Sequence, residues 1–290
     1  MADEVLTTGD PPTVSVVMLT YRHEQYVRQA VESVLSQDLV DLEVIIGDDA
    51  SPDGTAAILR ELASRDSRVT LVLRDHNLGP QANFADVWSR ARGEFIAVLE
   101  GDDSWTDDTK LTRQVEALRS TPAATLCFHR VSSEDAAGAP APGSWPPPGA
   151  ASFTLKRLVR GNFLATCSVM YRAGVVPSLP AFFRDLIMND WPLHLMHTYS
   201  GGLVFVDRDM ATYRYHPGGL WSGKAAAGRF LESARTLNHV ARFSGPPPLV
   251  AGAIRRRARR LAATSALLGI RDRDSRAALA GLRGAFKLPL

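Results

Sequence analysis

Glu100-Gly101-Asp102-Asp103 puts three carboxylates into one tight turn directly after the apolar run of residues 95–99. Carboxylates that close repel one another unless a cation or a set of donors balances them, and an oxygen-rich cluster suits a hard divalent ion such as Mg²⁺ or Mn²⁺. The plain alternative is an acidic turn capping the next helix, since Asp is common in turns and at N-caps and Asp107 and Asp108 continue the charge. A second acidic turn, Asp48-Asp49-Ala50-Ser51-Pro52-Asp53-Gly54-Thr55, closes the apolar run 42–47 in the same way. A third apolar run, 14–19, ends at Thr20-Tyr21-Arg22. Three apolar runs therefore end in ligand-type groups. In an open α/β sheet ligands bind beyond the carboxyl ends of the strands, and a bound metal diphosphate would balance the acidic cluster.

Positioning these groups falls to short β-branched runs that alternate with helical patterns, the signature of a largely parallel sheet. Residues 24–36 place Tyr26, Val27, Ala30, Val31, Val34 and Leu35 on one helical face. A helix is predicted over 56–65, capped by Asp53 or Thr55, then a strand over 69–73 and a helix over 80–92. The strand 95–99 carries the acidic cluster, and a helix over 109–120 and a strand over 124–128 follow. The first half thus reads as a nucleotide-binding type of α/β sheet. Residues 136–151 are rich in Pro, Gly and Ala without periodicity, so they form a loop, either a lid over the site or a plain surface insertion. Beyond it come a strand at 167–171, a helix at 190–199 entered through Asn189-Asp190-Trp191-Pro192, and short strands at 203–206 and 210–215. Helices broken by Pro246-Pro247-Pro248 fill the chain from Lys224 on.

At 290 residues the chain is long enough to bury a full core. Its two cysteines, Cys127 and Cys167, lie in apolar runs without metal-ligand spacing and read as reduced core thiols of a cytosolic protein. Residues 1–12 are polar and acidic, unlike a signal peptide, and are expected to be disordered; no run has the length of a transmembrane helix. Charge is unevenly spread. Residues 224–290 hold 14 basic and 3 acidic residues, net +11, whereas residues 1–223 are net −9. Val250, Ile254, Ala258, Leu261, Ser265 and Leu268 form a stripe that Arg255, Arg256, Arg259 and Arg260 largely avoid, giving an amphipathic basic helix. Packing against the acidic body or a second subunit is one role for it; contact with an anionic membrane holding a lipid-linked acceptor is the other.

Five separated motifs carry a resemblance across roughly residues 13–222: Val14 to Tyr21, Asp48 to Thr55, Asn77-Leu78-Gly79 with Asn83, Gly93 to Asp103, and Asp190-Trp191 followed by Tyr213-Arg214-Tyr215-His216. In this order they resemble the family 2 glycosyltransferases, inverting enzymes of the GT-A fold that use nucleotide-diphosphate sugars. The resemblance implies an α/β GT-A type fold with a mostly parallel central sheet and a C-terminal helical extension. Residues 13–223 would form the transferase domain, with nucleotide binding over 13–130 and acceptor binding over 152–223, and residues 224–290 the basic extension. By motif, Tyr21 would stack on the nucleobase and Thr20 would line the same pocket. Asp49 would accept from a base imide N–H, which favours UDP or dTDP donors, and Asn83 belongs to the same donor-binding set. Asp102 would lie near the ribose and Asp103 would bind the Mg²⁺ or Mn²⁺. Asp190 would be the catalytic base, an ordinary helix cap being its competing role. His216 would bind the metal or a phosphate oxygen, or Arg214 would make that phosphate contact instead.

Three departures from the family pattern matter. Glu100 stands where an Asp is usual, and Asn189 stands where many members have Glu before the base. The Gln-x-x-Arg-Trp motif and membrane helices of processive synthases are missing from this sequence, which implies single addition of a sugar by a soluble, cytoplasmic hexosyltransferase, at most peripheral to the inner face of the membrane. Its partners would be the nucleotide-sugar donor and a small-molecule, glycan or lipid-linked acceptor, with a homodimer as a further option and no nucleic acid. A dinucleotide-dependent dehydrogenase would need Gly-x-Gly-x-x-Gly after the first strand, where this chain has Thr20-Tyr21-Arg22-His23-Glu24. A glycosidase would need two carboxylates flanking the bond. A nucleotidyltransferase and a noncatalytic nucleotide-sugar or anionic-surface binding module remain the alternatives. His194 and His197 lack a third ligand and read as helix packing.

Overall fold

Val14, Val16 and Met18 are buried on one side of the first strand and Val17 on the other, the pattern of a strand covered on both faces. The computed structural model describes residues 10–147, 152–216, 218, 224–271, 279–281 and 283. Most of the N-terminal segment expected to be disordered, residues 1–9, therefore lies outside the described residues, as do residues 148–151, 217 and 219–223. The chain runs β1 (Val14–Thr20), α1 (Val27–Leu35), β2 (Leu42–Asp48), α2 (Thr55–Ala63), β3 (Val69–Leu73), α3 (Pro80–Arg90), β4 (Phe95–Glu100), β5 (Ser104–Trp105), α4 (Lys110–Ser120) and β6 (Ala124–Asp135). It continues with α5 (Leu155–Arg160), β7 (Met170–Arg172), α6 (Asp190–Ser200), β8 (Gly202–Tyr215), α7 (Ala226–Phe243) and α8 (Pro248–Arg271).

Eight strands form one mostly parallel sheet in the order β3-β2-β1-β4-β7-β6-β8-β5. The β1 pairings with β2 and β4, β2 with β3, and β6 with β8 are parallel; β7 and β5 pair antiparallel. Register matters most for function. Thr20 lies opposite Asp48 and Leu19 opposite Glu100, so the three polar strand ends emerge at one level. Gly101 allows the acidic turn to fold against β1, because a Cβ there would lie 2.6 Å from Thr20 Cγ2 and 2.8 Å from His23 Nδ1.

One face of the sheet is covered by α1, α2 and α4, whose Val27, Val31, Leu59, Leu111 and Val115 pack on Val14, Val16 and Met18. The other face is covered by α3 and α6, and α7 and α8 join the same core through Leu237, Val240, Ile254, Ala258 and Leu261. The basic C-terminal helices thus bury the apolar stripe expected of them against the body. No helix among the described residues is long and apolar enough to cross a membrane.

Several expected elements take another form. The two short strands at 203–206 and 210–215 are one strand, β8, whose pairing with β6 absorbs the polar Asp207-Arg208-Asp209 interruption through register shifts around Arg130. β6 itself continues beyond Phe128 to Asp135, because β8 pairs along it. The strand expected at 167–171 is a single 3₁₀ turn, Thr166–Ser168, followed by the three-residue β7; Ser168 donates both its N–H and its hydroxyl to the Ala165 carbonyl and so closes the turn. The Pro-rich loop is not free of the sheet. Its first part folds back along β6, with Val131 and Trp145 exchanging backbone hydrogen bonds and Ala141 N–H donating to Ser133 O.

Candidate active site

The end of β1 and the turn after β2 are built as one unit. Asp48 accepts from Thr20 Oγ1 at 2.8 Å, from Ser51 N–H at 3.0 Å and from Ser51 Oγ at 2.6 Å, so it holds the turn together. Arg22 and Ala50 both adopt left-handed backbone, at φ 61° and 57°, a strain of about 1 to 2 kcal/mol each that surrounding contacts must hold. Asp49 accepts from Leu78 N–H at 2.7 Å and from Gly79 N–H at 2.9 Å, while Asn77 Nδ2 donates to the Asp49 carbonyl. The Asn77-Leu78-Gly79 motif thus serves to aim Asp49. Asn83 is buried, donating to Gly47 O at 2.8 Å and accepting from Arg74, so it fixes α3 against β2.

At the next strand end, one carboxylate oxygen from each of Glu100, Asp102 and Asp103 lies within 4.8 Å of the others. Burial, and then the charges of Asp102, Asp103 and Asp190, push the Glu100 carboxyl well above its usual range. Burial and the neighbouring Asp102 do the same to Asp103. Asp102 moves the other way: burial would raise it, but the His23 and His216 imidazoles outweigh that and lower it. His216 Nε2 lies 2.9 Å from Asp102 Oδ2 and His23 Nε2 lies 3.5 Å from it. Burial pulls the His23 imidazole below its usual value, against the pull of Asp102. Asp103 Oδ1 accepts the Arg214 backbone N–H, whereas its buried Oδ2 has no hydrogen-bond partner beyond the weak thiol of Cys167 beside it. Three hard oxygen donors with one orphaned lone-pair face, two of them with raised proton affinity, fit a divalent cation.

Asp190 is the first residue of α6. Asn162 Nδ2 donates to its Oδ2 at 2.7 Å, and the helix-start amides of Trp191 and Asp190 also favour the carboxylate, but burial dominates and raises its proton affinity. Asn162 is held in turn, its Oδ1 accepting from Leu164 N–H and facing His194 Nδ1. The α6 histidines are core residues as expected: burial draws His194 down to about 3 and His197 down to about 4, so neither carries charge near neutral pH.

These groups meet in one cavity of about 860 Å³. Thr20, Tyr21, Asp49 and Asn83 line it, as do Asp102, Asp190, Arg214 and His216. Asp103 alone of the residues given site roles by motif is off its wall, 2% exposed beside Glu100 and Asp102, which do face it. Arg214 spends its guanidinium on the protein, donating to Asp102 O, Gln29 and Glu134. Residues 217 and 219–223, just beyond His216, lie outside the described residues. Sequence reasoning missed Trp145, Asn162, Phe230 and Arg257, all on the cavity wall. Asn162 had a local cue, its place just after a helix-ending glycine, and Trp145 lies in the Pro-rich loop that offered a lid over the site.

Comparison with known proteins matches residues 15–179, more than half the chain, to Glycosyl transferase family 2. An uncharacterized protein of Mycobacterium tuberculosis is 40% identical over 214 residues, covering 72% of this chain and 60% of its own length. The chain therefore spans less than two thirds of that relative. S. aureus TarS in complex with UDP-GlcNAc superposes with a TM-score of 0.70 at 16% identity, over 96% of this chain and 82% of that one. A mannosyltransferase of Pyrobaculum calidifontis in complex with GDP-Man and Mn²⁺ gives 0.64 at 15% identity, over 96% and 88%. At that identity the two structures establish the shared fold.

Proposed function

The chain belongs to glycosyl transferase family 2, and on that premise we propose that it is a metal-dependent, inverting, non-processive transferase that moves one sugar from a nucleotide-diphosphate donor to an acceptor hydroxyl. The observation that carries this reading is the single cavity in which Tyr21 and Asp49, the Glu100 and Asp102 carboxylates, and Asp190 all converge. Tyr21, 39% exposed at the mouth of that cavity, offers its ring to a nucleobase. Asp49 is an acceptor only, held by two backbone amides, so a base with an imide N–H, uracil or thymine, suits it. Asp102, Asp103 and Glu100 would hold Mg²⁺ or Mn²⁺, with His216 at the rim on Asp102. Such an ion, when bound, neutralises charge developing on the leaving diphosphate without a protein acid.

Asp190 acts on the acceptor side. As the acceptor oxygen forms its bond to the anomeric carbon, its proton passes to the Asp190 carboxylate, and the carbon–oxygen bond to the diphosphate breaks with its electron pair leaving on the nucleotide. Displacement from the opposite face inverts the anomeric centre. Asn162 orients the carboxylate through its 2.7 Å bond, and the apolar wall from Trp145, Trp191 and Leu193 excludes water that would otherwise compete. Nucleotide sugars are made in the cytoplasm, which is where the reaction is placed. Residues 13–223 carry both half-sites in this reading, while α7 and α8 complete the wall through Phe230 and Arg257.

A thermal-shift panel of UDP, dTDP and GDP sugars with and without Mn²⁺ tests the donor reading. A ligand at 100 times its dissociation constant stabilises by ~2.7 kcal/mol, well within reach of the method. Stabilisation by uridine or thymidine nucleotides that grows with Mn²⁺ is expected; no nucleotide response would overturn it.

A further inference from the structure

A second concavity, of about 380 Å³, lies where α8 crosses α5. Its lining includes the apolar Leu155, Val159 and Leu249, the last 89% exposed. Its rim is basic, formed by Arg160, Arg256, Arg257 and Arg260, and no acidic residue lines it. None of these four arginines takes part in an ion pair among the described residues. Arg257 is the central one: its Nε is buried with no hydrogen-bond partner, and burial followed by the charges of Arg260 and Arg160 draws its proton affinity down. Arg160 and Arg257 also line the main cavity, so the groove shares part of its wall with the chamber that holds Asp190.

Guanidinium groups gathered without a counter-charge repel one another, and their forked donors fit an oxyanion, phosphate or carboxylate. An apolar lining beside them removes hydrocarbon from water. We propose that this groove holds the acceptor, whose class is a hydroxyl-bearing head group joined through a phosphate to a hydrocarbon chain. The phosphate sits on Arg160 and Arg257, the chain lies along Leu155, Val159 and Leu249, and the head group extends past those two shared arginines toward Asp190. The assignment rests on the reading of Asp190 as the base of the transfer. It also gives the unbalanced charge of α8 a purpose that packing alone does not require, since the apolar stripe of that helix is already buried.

Vesicle co-sedimentation of the full chain tests it. Phosphatidylcholine vesicles carrying a polyprenyl phosphate are compared with vesicles carrying phosphatidylglycerol at matched surface charge and with vesicles carrying the uncharged polyprenol. Binding to the polyprenyl phosphate vesicles is expected to be tighter than to either control on the order of tenfold, and the Arg160→Ala/Arg257→Ala variant to lose that preference. Equal binding to the phosphatidylglycerol vesicles reduces the groove to a charged surface and overturns the proposal. So does a preference that survives in the double variant. The wild-type comparison stands even if the variant misfolds. Uridine nucleotide binding with Mn²⁺, measured on the same preparation, separates the two readings: nucleotide binding without vesicle preference overturns only the groove. Vesicle preference without any nucleotide response supports the groove as a lipid-phosphate site and overturns the donor reading.

Discussion

The Arg214 backbone N–H donates to Asp103 Oδ1 at 2.9 Å, which ties the end of β8 to the acidic turn after β4 and leaves Asp103 Oδ2 as the buried, unshared oxygen of that carboxylate. The same arginine carries its guanidinium 4.6 Å over the Tyr26 ring and donates to the Asp102 carbonyl at 2.8 Å, so one residue sets the shape of the whole cluster. Its guanidinium thereby braces the Asp102 backbone against Gln29 and Glu134.

From that geometry, chelation should stop turnover without unfolding the protein. EDTA is expected to abolish sugar transfer while the far-ultraviolet circular dichroism stays unchanged, and added Mn²⁺ to restore it. Asp103→Ala should lose Mn²⁺ binding in calorimetry with a uridine nucleotide present. Full activity in EDTA would move the enzyme to a metal-independent class.

Asp190→Asn preserves size and most hydrogen bonding but cannot take the acceptor proton. Transfer is expected to fall on the order of 10²- to 10⁴-fold while the nucleotide-induced thermal shift is retained. The wild-type product should carry the anomeric configuration opposite to the donor, read by proton coupling constants. A variant that transfers at the wild-type rate would make Asp190 a helix-start residue only.

Asn162→Ala addresses how Asp190 is tuned. Burial raises the proton affinity of Asp190 and the Asn162 amide opposes this by binding the carboxylate form. The base must be deprotonated, so activity is lost as pH falls through its titration, and that acid limb should lie above the ordinary carboxylate range. Removing the amide removes part of what favours the charge, so the limb of kcat/KM should move to higher pH, with the two proteins converging at the alkaline end. An unmoved limb would mean that Asn162 only packs.

Lys110 offers a stability test away from the cavity. It is wholly buried, 3.8 Å over the Trp105 ring and 2.7 Å from Gln114 Oε1, and burial draws its ammonium down to about 7. Below pH 7 the lysine is protonated in both the folded and unfolded states, and the cost of burying its charge is felt in full. Between about 7 and the usual lysine value the unfolded chain holds the proton and the folded chain does not, so stability rises with pH. Lys110→Met should therefore stabilise more at pH 6 than at pH 9, by about 2 to 3 kcal/mol across that interval, since each unit of pH is worth about 1.4 kcal/mol. Equal denaturant midpoints for the pair at both pH values would show that the ammonium is not desolvated as described.

Strand ends were legible in the sequence because the cues there are local. Short continuous apolar runs mark β1, β2 and β4, and the acidic turns after β2 and β4 sit within a few residues of their strands, so Asp49, Asp102 and Asp103 could be placed at one end of a sheet from spacing alone. The parallel register then brings Thr20, Asp48 and Glu100 to the same level. What the sequence could not supply were pairings between residues distant along the chain. Asn162 meets Asp190 across 28 positions and Arg214 meets Asp103 across 111, contacts that exist only because α6 and β8 pack where they do. Tertiary packing also decided that Asp103 lies off the cavity wall, that the Pro-rich loop turns back along β6, and that Arg257 of α8 reaches the chamber of Asp190. Local periodicity fixes which face of an element is buried, but what it is buried against follows from closing the whole core at once, a choice that no short stretch of sequence contains.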